Sequence, residues 1–181
     1  YSSGICNLNI NVNHTYVDFV GNFNGQEKVA VLSLTGKNPT ISNCTFTGAA
    51  GNGYGVTING QGADDVITLK NCDFSQDDFF KPIFDNWGGL NGATLVIDGC
   101  TLANGLYTMH IDANGESGKV IVKNSTLDGF TTNGASLDEL VFENCVFGEV
   151  AGYACANIYT SHSFINCTFP TKAAANNVGN Y

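Results

Sequence analysis

Leu69-Lys70-Asn71-Cys72-Asp73-Phe74 decides the fold, because its plan recurs along the chain. The plan is an apolar residue, any residue, Asn or Gly, Cys or Ser, any residue, then Phe or Leu. It also describes Ile41 to Phe46, Ile97 to Leu102, Val122 to Leu127, Phe142 to Phe147 and Phe164 to Phe169. Measured at the Cys/Ser position, the steps are 28, 28, 25, 20 and 22 residues. A repeat of this period means a stack of similar structural units.

The third position of the plan explains itself. It holds Asn43, Asn71, Gly99, Asn124, Asn144 and Asn166, and Asn and Gly are the residues that most readily take positive φ. A short β-rich stretch precedes each corner, as in Val66-Ile67-Thr68-Leu69, Thr94-Leu95-Val96-Ile97 and Leu140-Val141-Phe142. None is long enough for an amphipathic helix. After the corner, Cys and Phe/Leu stand two apart and so share one face of a second strand. A third strand fits between blocks, at Gly55–Ile58, Tyr107–Ile111, Gly134–Leu137 and Ala154–Tyr159. Three short strands per turn describe one coil of a solenoid, and a single coil cannot bury its own apolar side chains.

The expectation is an all-β fold, a right-handed parallel β-helix of about six to seven coils with three short strands each. The corner and the inward Cys and Phe ladders resemble those of the pectate-lyase-like group of right-handed parallel β-helix proteins. The resemblance covers residues 29–169 and implies the fold; the group hosts many functions, so it selects none. The whole of 1–181 is read as one domain, with 170–181 as a C-terminal cap or linker. Asn7 to Asn13 alternates strictly and is expected to be a strand of an additional coil.

Composition narrows the partners. With 7 Lys+Arg against 16 Asp+Glu, the net charge is −9, and every cation is a Lys. An acidic, Arg-free chain is poorly suited to nucleic acid, which is bound mainly by neutralising phosphates. No apolar run reaches the ~18 residues of a spanning helix, so no membrane insertion is expected. Gly (22) and Asn (23) punctuate the chain while Pro (3) is scarce, as suits frequent turning at one geometry.

The cysteines are 6, 44, 72, 100, 145, 155 and 167. Five share the same place in the repeat, so they read as buried, mostly free thiols that leave the redox compartment open. No C-x2-C or similar zinc spacing occurs. The sequons at Asn13, Asn43, Asn124 and Asn166 largely coincide with corners, which already account for Asn there.

Two sets of residues point toward chemistry. Aligning the third strands at their last apolar residue places Asp85 after Phe84, Asp112 after Ile111 and Asp138 after Leu137, with His110 alongside. On stacked strands about 4.8 Å apart, such a strip would hold a cation such as Ca²⁺ or supply a carboxylate pair for glycoside cleavage. The simpler reading is that each Asp closes a local turn. The longest insertion, 75–89, gathers Asp77, Asp78, Phe79, Phe80 and Trp87. Its aromatics and carboxylates match a saccharide platform, or else fold onto the flank of the coil.

Resemblance to pectate lyases, pectin methylesterases and polygalacturonases implies Arg near an acidic sugar, and this chain has none. The Asn-Thr-Asp and His-Gly segments of polygalacturonases are also missing, and a charge of −9 would repel polygalacturonate. The expected function is therefore a non-catalytic extracellular, cell-surface or virion module, structural or adhesive, with a glycan as ligand. It would work within a larger protein or a homo-oligomer. The alternative is a polysaccharide-processing enzyme using Asp85, Asp112, Asp138 and His110.

Overall fold

The structure is a computed structural model. It describes residues 15–19, 30–36, 38–46, 54–58, 62–75, 81–84, 90–102, 109–110, 118–127, 130–131, 137–148, 155–156, 161–170 and 178–179. Among them every regular element is a strand. Among the described residues no helix is long and apolar enough to cross a membrane.

The strands that lead into the corners form one sheet. These are β3 (Thr40–Ser42), β5 (Val66–Lys70), β7 (Thr94–Asp98), β10 (Lys119–Lys123), β13 (Glu139–Glu143) and β16 (His162–Ile165), stacked parallel in that order. Register is exact along the stack: Leu69, Ile97, Val122, Phe142 and Phe164 lie level. Alternation does this, because a slip of one residue would turn every apolar side chain outward.

Beyond the corner, β8 (Thr101–Leu102), β11 (Thr126–Leu127) and β14 (Val146–Phe147) make a second parallel sheet. Single bridges Thr45–Asp73, Asp73–Thr101 and Val146–Thr168 carry it through the outer rungs. The third flank has two parts. In the first, β2 (Ala30–Gly36), β4 (Tyr54–Ile58), β6 (Lys81–Phe84) and β9 (Met109–His110) run parallel; in the second, β12 (Phe130–Thr131), β15 (Cys155–Ala156) and β17 (Val178–Gly179) do. This is the expected solenoid.

Its ends add two findings. β1 (Thr15–Phe19) pairs antiparallel with β2 and closes the N-terminal edge of the third flank. β17, from the stretch read as a cap or linker, continues the parallel stack on β15. The alternating segment Asn7 to Asn13 lies outside the described residues.

The core runs along the axis. Ile41, Ile67, Leu69, Leu95, Ile97, Val120, Val122, Leu140 and Phe142 are all fully buried. Each contributes about 1.5–3 kcal/mol relative to an exposed side chain. Phe46 lies flat on Phe74 with centroids 4.4 Å apart, Phe142 on Phe164 at 5.1 Å, and Phe147 on Phe169 at 5.0 Å. Rungs about 4.8 Å apart impose this offset stacking on aligned rings.

Candidate functional site

The corner is the most fully built feature of the molecule. Asn43, Asn71, Asn124, Asn144 and Asn166 have φ between 51° and 57°, and Gly99 has φ 68°. The backbone N–H of Asn43, Asn71, Gly99, Asn124 and Asn144 each donates to the carbonyl before the next corner, for example Asn43 to Lys70 at 2.9 Å. The side chains are linked in the opposite sense. Asn71 donates to Asn43 Oδ1 (3.2 Å), Asn144 to Asn124 (3.3 Å) and Asn166 to Asn144 (2.8 Å). Gly99 has no amide to offer, and there Asn124 donates to Asp98 Oδ1 at 2.8 Å. The sequon residues Asn124 and Asn166 thus already use their side-chain nitrogens within the ladder.

The thiol row sits directly inside. Cys44, Cys72, Cys100 and Cys145 are buried, Cys167 is half-buried, and all five are free. Each thiol points to the carbonyl two residues earlier, as Cys72 does to Lys70 at 3.4 Å and Cys145 to Glu143 at 3.4 Å. Ser125 replaces Cys in one rung because its hydroxyl makes the same bond to Lys123 at 2.7 Å and also accepts from Cys100 N–H. Burial pushes the Cys145 thiol up to about 11. Cys100 is also pushed up, first by the hydrogen bond it shares with Cys72 and then by burial. Cys100 and Cys145 are thus held as protonated thiols, while the Cys72 thiol is lowered, first by its hydrogen bond with Cys100.

The strand register differs from the alignment by which the carboxylate strip was placed. The alignment set Phe84 level with Ile111, whereas Phe84 pairs with His110, and Thr57 rather than Ile58 pairs with Phe84. The two adjacent apolar residues Ile83 and Phe84 allowed either phase when read as sequence. Asp138 is exposed, immediately precedes β13, and its N–H donates to Gly118 O at 2.8 Å. Asp85 and Asp112 lie outside the described residues, as do Asp77, Asp78, Phe79, Phe80 and Trp87. Among the described residues no group of three His, Cys, Asp or Glu is placed to hold a metal ion.

Asp65, which the sequence shows only as half of an isolated acid pair with Asp64, is better defined. Asp65 is fully buried at the entry to β5 and accepts the backbone N–H of Asn38, while Asn38 Oδ1 accepts from Val66 N–H at 2.8 Å. Asn38 has φ 51°, and Asn91 with φ 52° lies in another turn, Leu90–Ala93, which matches the turn Gly62–Asp65 one rung back. A second set of bends therefore precedes the sheet. The dipeptides Asn38-Pro39 and Asn91-Gly92 were its signals.

The outward face of the six-stranded sheet is continuous over six rungs. Its middle row runs Thr68, Val96, Ile121, Val141, Ser163 at one level. Lys70, Asp98, Lys123 and Glu143 run beside it with alternating sign, Lys123 pairing with Asp98 at 3.6 Å. On the other side Lys119 pairs with Glu139 at 3.4 Å. This is a strip rich in β-branched residues between flanking charges, of which Lys123–Asp98 and Lys119–Glu139 pair.

A family model described as a right handed beta helix region matches residues 29–180. No curated protein and no solved structure matches the chain.

Proposed function

The chain belongs to the right-handed β-helix family, and from that premise we propose that it is a non-catalytic structural or adhesive module of a cell surface or virion. In such a solenoid the inward positions are committed to the stack, so function falls to the outward faces and the loops between strands. The observation that carries the reading is the outward row from Thr68 to Ser163, level across successive rungs and bordered by charges that pair with each other. A face of this kind gives a rigid, neutral contact strip on an otherwise acidic molecule.

The ligand we assign to the module is a glycan, taken by the insertion that holds Phe79, Phe80 and Trp87 with Asp77 and Asp78. Flat rings stack on sugar faces while carboxylates accept hydroxyl hydrogen bonds. Trp87 is the only Trp of the chain, so its fluorescence reports on that insertion alone. Titrating a panel of neutral and acidic glycans is expected to perturb Trp87 without releasing reducing ends or unsaturated sugars. Cleavage by the wild type that Asp112→Asn abolishes, with folding retained, would replace this reading with an enzyme.

A further inference from the structure

The four central strands of the six-stranded sheet, β5, β7, β10 and β13, present three outward rows. One row reads Lys70, Asp98, Lys123, Glu143; the middle row reads Thr68, Val96, Ile121, Val141; the third reads Val66, Thr94, Lys119, Glu139. The middle row is half-buried, and Lys70, Glu143, Val66, Lys119 and Glu139 are exposed. Three Lys and three carboxylates make the rows neutral in sum. A chain of net charge −9 repels its own copies over most of its surface, and here that repulsion is absent.

The first row alternates plus, minus, plus, minus, so read backwards it is its own complement. Consider a copy laid face to face, turned about a two-fold that runs along the strands between β7 and β10. Lys70 then meets Glu143 of the copy and Asp98 meets Lys123, each contact occurring twice. Lys123 and Asp98 already pair within the chain at 3.6 Å, so two such pairs meet as a ring of four alternating charges. The same turn sets Val96 against Ile121, Thr68 against Val141 and Thr94 against Lys119. Within these rows no like charges meet. A two-fold along the stack would instead set Lys123 on Lys119 and Glu143 on Glu139, which like-charge repulsion disfavours.

We infer that this face is a self-docking surface, on which two copies of the chain pack sheet on sheet about a two-fold parallel to the strands. Such an interface needs only a patch that complements itself, and it closes at two copies. Six rungs about 4.8 Å apart and strands of about five residues give roughly 800 Å² between two copies, the size of a weak, reversible contact. The pairing rests on this face being a contact strip, as proposed above; glycan binding is read at Trp87, and the two can fail separately.

Sedimentation equilibrium of the full chain, from about 10 to about 500 µM, tests this, and a reversible monomer–dimer equilibrium is expected. Glu143→Lys sets Lys against Lys70 of the copy at two symmetric places and is expected to weaken the dimer about tenfold. It also makes the chain less negative, which alone would favour association, so weakening reports the local contact. Lys70→Glu is expected to weaken the dimer equally, and the two together to restore it to within about threefold of wild type. Lys70 and Glu143 stand three rungs apart within one chain, so the rescue acts across the interface. Circular dichroism is expected to be unchanged. Should either variant unfold, Glu143→Gln and Lys70→Gln are each expected to weaken the dimer about threefold. A single-chain mass at every concentration, a dimer insensitive to these variants, loss without rescue in the double variant, or mass growing without limit would each overturn the pairing.

Discussion

Asn124 donates its side-chain amide to Asp98 and not to the residue that stands at the corner one rung back, because that residue is Gly99. The ladder bends around the gap: a Cβ at Gly99 would lie 2.5 Å from Asn71 Oδ1, which has turned into the space left open. Since this contact is with the end of a mobile amide, Asn is the side chain best suited to fill the gap. Gly99→Asn is expected to change stability by no more than about 0.5 kcal/mol, as Asn tolerates positive φ and reduces unfolded-state entropy. Gly99→Val should lose about 2 kcal/mol or more at φ 68°. Urea denaturation distinguishes them, and equal losses would refute the account of the gap.

Asn144 has two roles, holding positive φ and linking Asn124 to Asn166. Asn144→Gly removes the links alone and should cost about 1–2 kcal/mol. Asn144→Ala removes both and should cost about 1 kcal/mol more. If Ala is no worse than Gly in chemical denaturation, the left-handed corner is not what selects Asn.

Phe142 is fully buried between its rungs, while Phe164 covers it and is itself partly exposed. Phe142→Ala is expected to cost about 3–5 kcal/mol and Phe164→Ala clearly less. The reverse order in thermal or urea unfolding would show that the stack is not closed from within.

The buried thiols give a pH signature. The folded Cys145 value, about 11, lies above the ordinary 9.0. A thiol raised by folding contributes stability that is fully present below its unfolded pKa and lost as pH rises through the folded value. Stability should therefore decline between about pH 9 and pH 11, and Cys145→Ser should flatten part of that decline. Ser is already accommodated in this row at Ser125. A pH-independent stability across that window would contradict the assignment.

These outcomes rest on features that were unevenly visible in the sequence. The corner at Asn71 was legible because left-handed backbone admits few residue types, and the inward faces were legible because Leu69 and Ile67 alternate with Thr68 and Lys70. The phase of the third flank was not, since Ile83-Phe84 fits either face and only pairing with Met109-His110 decides it. The burial of Asp65 had no local signal, because the backbone donor that meets it, Asn38, is 27 residues away. The antiparallel β1 carried no repeat to announce it.

The central claim is that Asn side chains stack rung on rung across one wall of the solenoid. Nuclear Overhauser spectra of the side-chain amides measure this most directly. The account predicts cross-peaks from Asn71 to Asn43, Asn144 to Asn124 and Asn166 to Asn144, with Asn124 meeting Asp98 instead of an Asn. Amide protons that see only residues facing them across antiparallel hairpins, with none of these contacts, would contradict it.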